Sequence, residues 1–245
     1  GVASPVAVKG TLRFRDATAA FERFPYRFTK LTGEFAFTDN RIDIKRVAGG
    51  SPGGAMIEAA GFISPLTDDA EVRVNVSVHN LPVDGSLARA MQARGKIIDE
   101  LCSQERYDAL VERGLITPPD RGARATPDAP VFELGGRVNV LAVITREPGP
   151  GSNWHDTITI TMPKVGILPR SAPLPLIARD VTIIKTDDEA VVKGGRLEGL
   201  QGGHATIAAK ADLPSLTAGG FSPEVEVAAR GVPLRHRDNH FHVAG

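Results

Sequence analysis

Few residues in this chain are of a type and spacing that could do chemistry. The run Arg235-His236-Arg237-Asp238-Asn239-His240-Phe241-His242 holds its one histidine cluster. Alternation along a strand puts His240 and His242 on one face, with His236 and Asp238 as further candidates. A metal centre needs its ligands at fixed geometry, and a solvated segment accounts for the run equally well, so no metal is assigned. His155-Asp156 lies beside Trp154, close to Ser152. A nucleophilic serine needs a sharp elbow of the G-x-S-x-G kind; Gly149-Pro150-Gly151-Ser152-Asn153 is not one. Asp68-Asp69 and Asp187-Asp188-Glu189 lack the ligand spacing of a calcium loop and read as solvated turns. Gly194-Gly195 and Gly202-Gly203 precede no helix, so they do not form a phosphate cradle. Cys102 is the single cysteine, which excludes an internal disulfide, and it reads as a small buried side chain. No catalytic residue and no cofactor is assigned, and the chain reads as non-enzymatic.

Composition narrows the partners. The 245 residues carry 29 basic and 29 acidic side chains, and 5% are aromatic. Nucleic-acid binding, which draws on a basic excess and stacking aromatics, is not expected. No apolar run approaches the ~18 residues of a membrane span, and no leader pattern opens the chain. It starts at Gly1, so it reads as a segment of a longer or processed protein whose targeting and anchoring signals lie outside it.

The elements that must carry any function are strands. Val6 to Arg15 alternates, with Val8, Gly10, Leu12 and Phe14 on one face. Ala17 to Pro25 reads as a loop or a short extended segment. Leu31–Phe37 and Arg41–Val47 form a hairpin about Thr38-Asp39-Asn40, with Arg46 grouped with Ile42 and Ile44. Ala48 to Gly54 is a break, Ala55–Ile63 a strand and Pro65–Asp69 a turn. Glu71 to His79 alternates best, with Val72, Val74, Val76 and Val78 on one side. Asp84 then caps a helix, and one or two helices fill about 84–115, Ser103 capping the second and Gly114 ending it. Strands resume over Val131–Thr145, with Phe132, Leu134, Val138 and Val140 inward, and over Thr157–Met162. Val165 to Pro175 reads as irregular. Four more strands follow: Ala178–Lys185, Ala190–Leu197, His204–Leu213 and Glu224–Ala229.

The plan recurs about 150 residues on. Leu31 to Lys45 aligns with Val181 to Lys193, the glycines before Ala55 with Gly202-Gly203, and Glu71-Val-Arg-Val with Glu224-Val-Glu-Val. The exit Leu81-Pro82-Val83 aligns with Val232-Pro233-Leu234. A repeated unit with one apolar face must stack, close or cup an apolar ligand. Small residues assigned to the inner face (Gly10, Ala36, Ala59, Ala60, Ala142, Ala205, Ala209 and Ala211) favour a curved sheet with room along it.

The stretch LTGEFAFTDNRIDIKRVAGG, followed by AMIEAAGFI and AEVRVNVSVHNLPVDGSLARAM, resembles the repeat of AsmA-like proteins, which include the TamB and YhdP relatives of the bridge-like lipid-transfer group. The resemblance covers Leu31 to Met91 well and Val181 to Leu234 loosely. It implies a mainly β fold: a curved antiparallel repeated sheet, or β-groove, with the helical insert. Residues 1–120 would form the first β unit plus insert, 121–130 a linker or loop, and 131–245 a second unit continuing the same sheet. It further implies a periplasmic protein of the bacterial cell envelope. Its partners would be lipid acyl chains, the membrane through parts outside this segment, and other envelope proteins. The residues expected to line the groove are Leu12, Phe14, Phe35, Phe37, Ile42, Ile44, Val72, Val74, Val76, Ile158, Ile160, Ile183 and Ile207. The competing expectation is a structural or adhesive β-repeat scaffold with a filled core and no ligand.

Overall fold

Period-two alternation of apolar and polar side chains commits most of this chain to strands, and the strands pair in chain order. A computed structural model describes residues 7–21, 24–91, 96–119, 129–169, 175–200, 202–212, 224–230, 232–236 and 239–243. It holds a 12-stranded antiparallel sheet and a separate two-stranded hairpin. The first half of the sheet runs β1 (Lys9–Phe21), β2 (Phe24–Thr38), β3 (Arg41–Gly50), β4 (Met56–Ser64) and β5 (Glu71–Pro82). Three helices intervene: α1 (Gly85–Ala90), α2 (Lys96–Leu101) and α3 (Gln104–Glu112). The sheet then continues directly, because β6 (Gly135–Arg146) pairs with β5. After it come β7 (Trp154–Ile167), β8 (Leu176–Lys185), β9 (Glu189–Lys193), β10 (Arg196–Gly199), β11 (His204–Asp212) and β12 (Glu224–Arg230). β9 and β10 are two pieces of one strand broken at Gly194-Gly195: each pairs with β8 on one side and β11 on the other. The small hairpin is β13 (Val232–His236) with β14 (Asn239–Val243).

Several expectations need correction. Of the two readings of Ala17 to Pro25 the extended one holds: Ala17 to Phe21 is the second half of β1, and Pro25 lies within β2, at the start of the strand where a missing N–H is tolerated. β3 continues through Gly50, so the break is confined to 51–54. Val131 to Leu134 lies outside β6, and Val165 to Ile167 belongs to β7. The insert holds three helices, and Ser103 makes no side-chain capping bond to α3. Asp84 does cap α1, its carboxylate accepting from the Ser86 and Leu87 amides at 2.8 and 3.0 Å. The proposed linker falls largely outside the described residues.

Breaks in the alternation are absorbed by bulges with a common form. Asp16, Lys30, Asn80 and Asp180 adopt left-handed backbone, with φ of 55°, 53°, 62° and 52°. Lys30 and Asp180 immediately precede Leu31 and Val181, the residues aligned above. An extra residue re-phases a strand, so apolar residues three apart return to the same face: Phe28 and Leu31, Val78 and Leu81, Ala178 and Val181 are all buried. Traced through the register, the irregularities form one line across the sheet. Lys30 lies beside Gly49; Gly49 pairs with Ile57 and Ile57 with Val78; Asn80 abuts Asn139; Asp180 abuts Gly194-Gly195. At Asn80 the polar face locks the bulge. The Asn80 amide donates to Asn139 Oδ1 at 3.0 Å, and Arg137 Nη1 donates to the Asn80 and Gly53 carbonyls, both at 3.0 Å.

The helices cover the sheet on one side of this line. Leu87 and Ala90 of α1 pack with Tyr26, Phe28, Leu31, Ala55, Val78, Leu81, Val138 and Val165, joined by Met91 and Ile98. α3 supplies Leu110, with Tyr107 and Val111, to a second cluster around Ile116, Phe132 and Leu168. The buried core is therefore concentrated at one end of the strands.

Candidate functional site: an apolar sheet face

Residues paired across adjacent strands point to the same side of a sheet, so the register shows which side chains share a surface. Leu12 pairs with Phe35, Phe35 with Ile44, Ile44 with Gly61, Gly61 with Val74 and Val74 with Ile144. A neighbouring row runs Gly10, Phe37, Ile42, Ile63 and Val72. A third runs Phe14, Gly33, Val47, Ala59, Val76, Ala142 and Ile158. A fourth runs Ile57, Val78, Val140, Ile160, Ile183, Val192 and Ala209, and Ile207 lies two residues before Ala209 on β11. Every residue expected to line an apolar surface thus falls on one face. The face reaches from β1 to β11 and bears no charge until its rim at Arg146, Asp156 and Lys185.

The far side of the bulge line is not covered as the near side is. Phe14, Phe35, Phe37, Ile42, Ile44, Val74, Val76, Ile158, Ile160, Ile183 and Ile207 are half-buried, and Leu12 is 55% exposed. Val72 is the exception, 4% exposed between its neighbours on β4 and β6. The second, two-stranded sheet (β13–β14) contacts β10. Near the β1 edge aromatic rings fill in for missing side chains. A Cβ on Gly10 would come within 2.6 Å of the Phe37 ring, and one on Gly33 within 2.5 Å of Phe14, which stacks on Phe35 at 5.4 Å. Rings lying over glycines keep the surface continuous and smooth.

The opposite face is polar and paired. Arg13 meets Glu34, Arg46 meets Glu58 and Arg179 meets Glu198, each at 2.7 Å. Three placements are corrected by this register. Arg46 pairs with Glu34 and belongs to the polar face, because a bulge between Ile44 and Val47 inverts the alternation. Ala36 and Ala60 also lie there, opposite Asp43 and Asn75. A shallow depression of about 370 Å³ on the same side is lined by Thr32, Gly33, Glu34, Arg46 and Ala48.

Of the chemically suggestive residues, the fold joins one pair that spacing did not indicate. His155 Nδ1 lies 2.6 Å from Asp187 Oδ2, and the Asp156 amide donates to Asp187 Oδ1 at 3.1 Å. That amide first, then the His155 ring, holds the Asp187 carboxyl below the usual aspartate range. Lys185 pairs with Asp156. The result is an exposed charge cluster at the β7–β8 rim. The Ser152 carbonyl accepts from Arg146 Nε at 3.2 Å, so that residue is tied into the preceding turn. Cys102 is half-buried against Gly166, and burial pushes its thiol up to about 11, which makes it a poor nucleophile. In the C-terminal hairpin the register pairs Arg235 with His240 and His236 with Asn239; the side chains of that cluster lie outside the described residues. Among the described residues no group of three or more potential metal ligands gathers.

What alternation alone missed is the bulge residues. Their signal is an apolar pair three apart with Lys, Asn or Asp before the second member: Phe28-Thr29-Lys30-Leu31, Val78-His79-Asn80-Leu81 and Ala178-Arg179-Asp180-Val181. No helix among the described residues is long and apolar enough to cross a membrane. No family model, no curated protein and no solved structure matches the chain.

Proposed function

We propose that this chain binds or conducts lipid acyl chains on its apolar sheet face, as a non-enzymatic part of an AsmA-like envelope protein. The observation that carries this reading is the in-register apolar surface from Leu12 on β1 to Ile207 on β11, most of it half-buried. A soluble protein rarely leaves a large contiguous apolar surface without a use for it. An alkyl chain laid along this one gains about 0.8 kcal/mol per buried CH₂, and no catalyst is needed. The line of bulges supports curvature, since each bulge bends its strand and raises the local twist; a bend toward the helix-bearing face makes that face a groove. The helices close one end, so chains enter past the rim at Arg146 and Trp154. Periplasmic residence and partners in the envelope follow from the resemblance of Leu31–Met91.

The scaffold reading draws on Val72 and Val78, 4% and 7% exposed, which are as buried as core residues. Organic extraction of the purified, folded chain, read by mass spectrometry, decides between the two. The lipid reading expects acyl lipid in near-stoichiometric amount. Folded protein that carries none, and takes up none from vesicles of phosphatidylethanolamine and phosphatidylglycerol, refutes it.

A further inference from the structure

The polar face of the sheet changes character between its two halves. On β1 to β4 its charges alternate in sign from strand to strand: Arg13 pairs with Glu34, Glu34 with Arg46, and Arg46 meets Glu58. On β6, β7, β8 and β10 one row carries a single sign. Arg137 pairs with Lys164, Lys164 with Arg179 and Arg179 with Arg196. Like charges directly opposite one another destabilise a sheet, so the fold alone gives no reason for this row. Arg137, Lys164 and Arg196 are exposed. Within two residues of the row along its strands the carboxylates are Asp180 and Glu198. Glu198 accepts from Arg179 Nε at 2.7 Å and lies 3.5 Å from Arg196 Nε. Among the described residues Lys164 has no ion pair, and Arg137 Nη1 donates to main-chain carbonyls. A net positive row is left facing solvent.

Toward the open end of the strands the next row is Asn139, Thr161, Thr182 and Lys193, and the one after it is Leu141, Thr159, Ile184 and Val191. The last four bear no charge, and Leu141 is 48% exposed. A cationic row and an apolar row therefore run parallel, about 13 Å apart along β6, with a polar row between them. That separation suits one α-helix, about 10–12 Å wide with its side chains. Across the strands the cations repeat every ~4.8 Å, against about 5.4 Å per helical turn, so three turns follow four strands to within about 2 Å.

We propose that this face docks an amphipathic helix of a partner protein, laid across the strands from β6 to β10. An acidic ridge of that helix, Glu or Asp at each turn, meets the cationic row, and its apolar side rests on Leu141, Ile184 and Val191. Charge complementarity selects the acidic ridge. The apolar row selects a folded amphipathic segment over a bare polyanion. The three rows carry no aromatic side chain on which a base could stack. This inference concerns the polar face and stands apart from lipid binding on the apolar one.

The test titrates the intact chain with two fluorescein-labelled helical peptides, followed by anisotropy at low salt. Both carry the same leucine face; one borders it with Glu at each turn, the other with Lys. The acidic peptide is expected to bind at least tenfold more tightly. That preference is expected to vanish in Lys164→Gln/Arg196→Gln, with the urea midpoint not lowered, because neutralising the row relieves its repulsion. Leu141→Asn, which changes no charge, is expected to weaken the acidic peptide at least fivefold. Equal binding of the two peptides, a preference that survives the double substitution, or full affinity in Leu141→Asn overturns the inference. If neither peptide binds while the double substitution releases the chain from phosphatidylglycerol vesicles, the row belongs to a membrane surface and the inference falls; binding of neither peptide without that release overturns it as well.

Discussion

A charge placed in the middle of the apolar face separates its use as a ligand surface from its use as a core. Val74 lies on β5 between Gly61 and Ile144, with Val72 and Val76 along the strand, and is half-buried. In the unliganded chain Val74→Asp keeps much of its hydration, so stability falls by only about 1 kcal/mol, the apolar area lost from a partly exposed valine. With an alkyl chain laid over it, the same carboxylate loses water without gaining a partner. Together with the lost valine contact this costs upwards of about 2 kcal/mol, or a dissociation constant raised roughly thirtyfold. Asn75→Asp is the control, since Asn75 is exposed on the opposite face of the same strand. Binding is read by fluorescence of 1-N-phenylnaphthylamine, a neutral apolar probe that the new charge does not repel by itself, and stability by urea unfolding of the same samples. Val74→Asp should lose the probe with its urea midpoint nearly kept, and Asn75→Asp should lose neither. Equal probe affinity in the two variants removes Val74 from any ligand surface. Collapse of the fold in Val74→Asp shows a closed core there and favours the scaffold.

The covered and open halves of the face should also differ in their tolerance of truncation. Leu81→Ala, at a position 3% exposed, is expected to cost about 2–5 kcal/mol, whereas Ile44→Ala, half-buried, is expected to cost about 1–2 kcal/mol; equal shifts in urea midpoint would put Ile44 in a sealed core. Arg137→Ala removes a charged donor from the Asn80 and Gly53 carbonyls. On an exposed residue this should cost about 1–2 kcal/mol and speed amide exchange at Asn80 and Leu81; unchanged exchange there would show that the bulge does not depend on the lock. The folded Asp187 carboxyl titrates below its unfolded value, near 3.9. Its contribution to stability is therefore fully present above about pH 4 and is lost as pH falls through the depressed folded value. The urea midpoint of the natural chain should exceed that of Asp187→Asn at pH 6, and the gap should narrow as the pH falls through the depressed folded value; a gap independent of pH would mean that the carboxylate's charge plays no part.

How much of this could be read in advance depended on whether neighbouring residues carried the information. Glu71 to His79 alternates without interruption, so both the strand and the face of Val72, Val74 and Val76 were legible. The Asp84 cap was legible for the same local reason: a carboxylate two and three residues ahead of amides that have no helical partner. Ala17 to Phe21 stayed undecided between loop and strand because an extra residue at Asp16 breaks the alternation, and a broken alternation resembles a loop until the partner strand is known. Arg46 was misplaced by the same mechanism, whereas Ala36 and Ala60 were grouped by their small size, although each directly adjoins a residue of the apolar face in unbroken alternation. His155 and Asp187 are 32 residues apart and meet only because β7 and β8 are ladder neighbours, which no spacing rule encodes.

The bulges show what kind of signal was overlooked. In each of Phe28–Leu31, Val78–Leu81 and Ala178–Val181, two apolar residues sit three apart, and the residue before the second has left-handed backbone. Strict alternation would turn the second apolar residue to water. One extra residue costs a little local backbone strain; it returns Leu31 and Leu81 to the side that the helices bury, and Val181 is buried as well. The covered end of the face and the line along which the sheet can bend therefore have the same origin. Deleting Lys30, Asn80 and Asp180 together would leave each apolar pair two apart and still on one face, so the core against α1 should survive, read as a nearly unchanged urea midpoint, while the line along which the sheet can bend is lost.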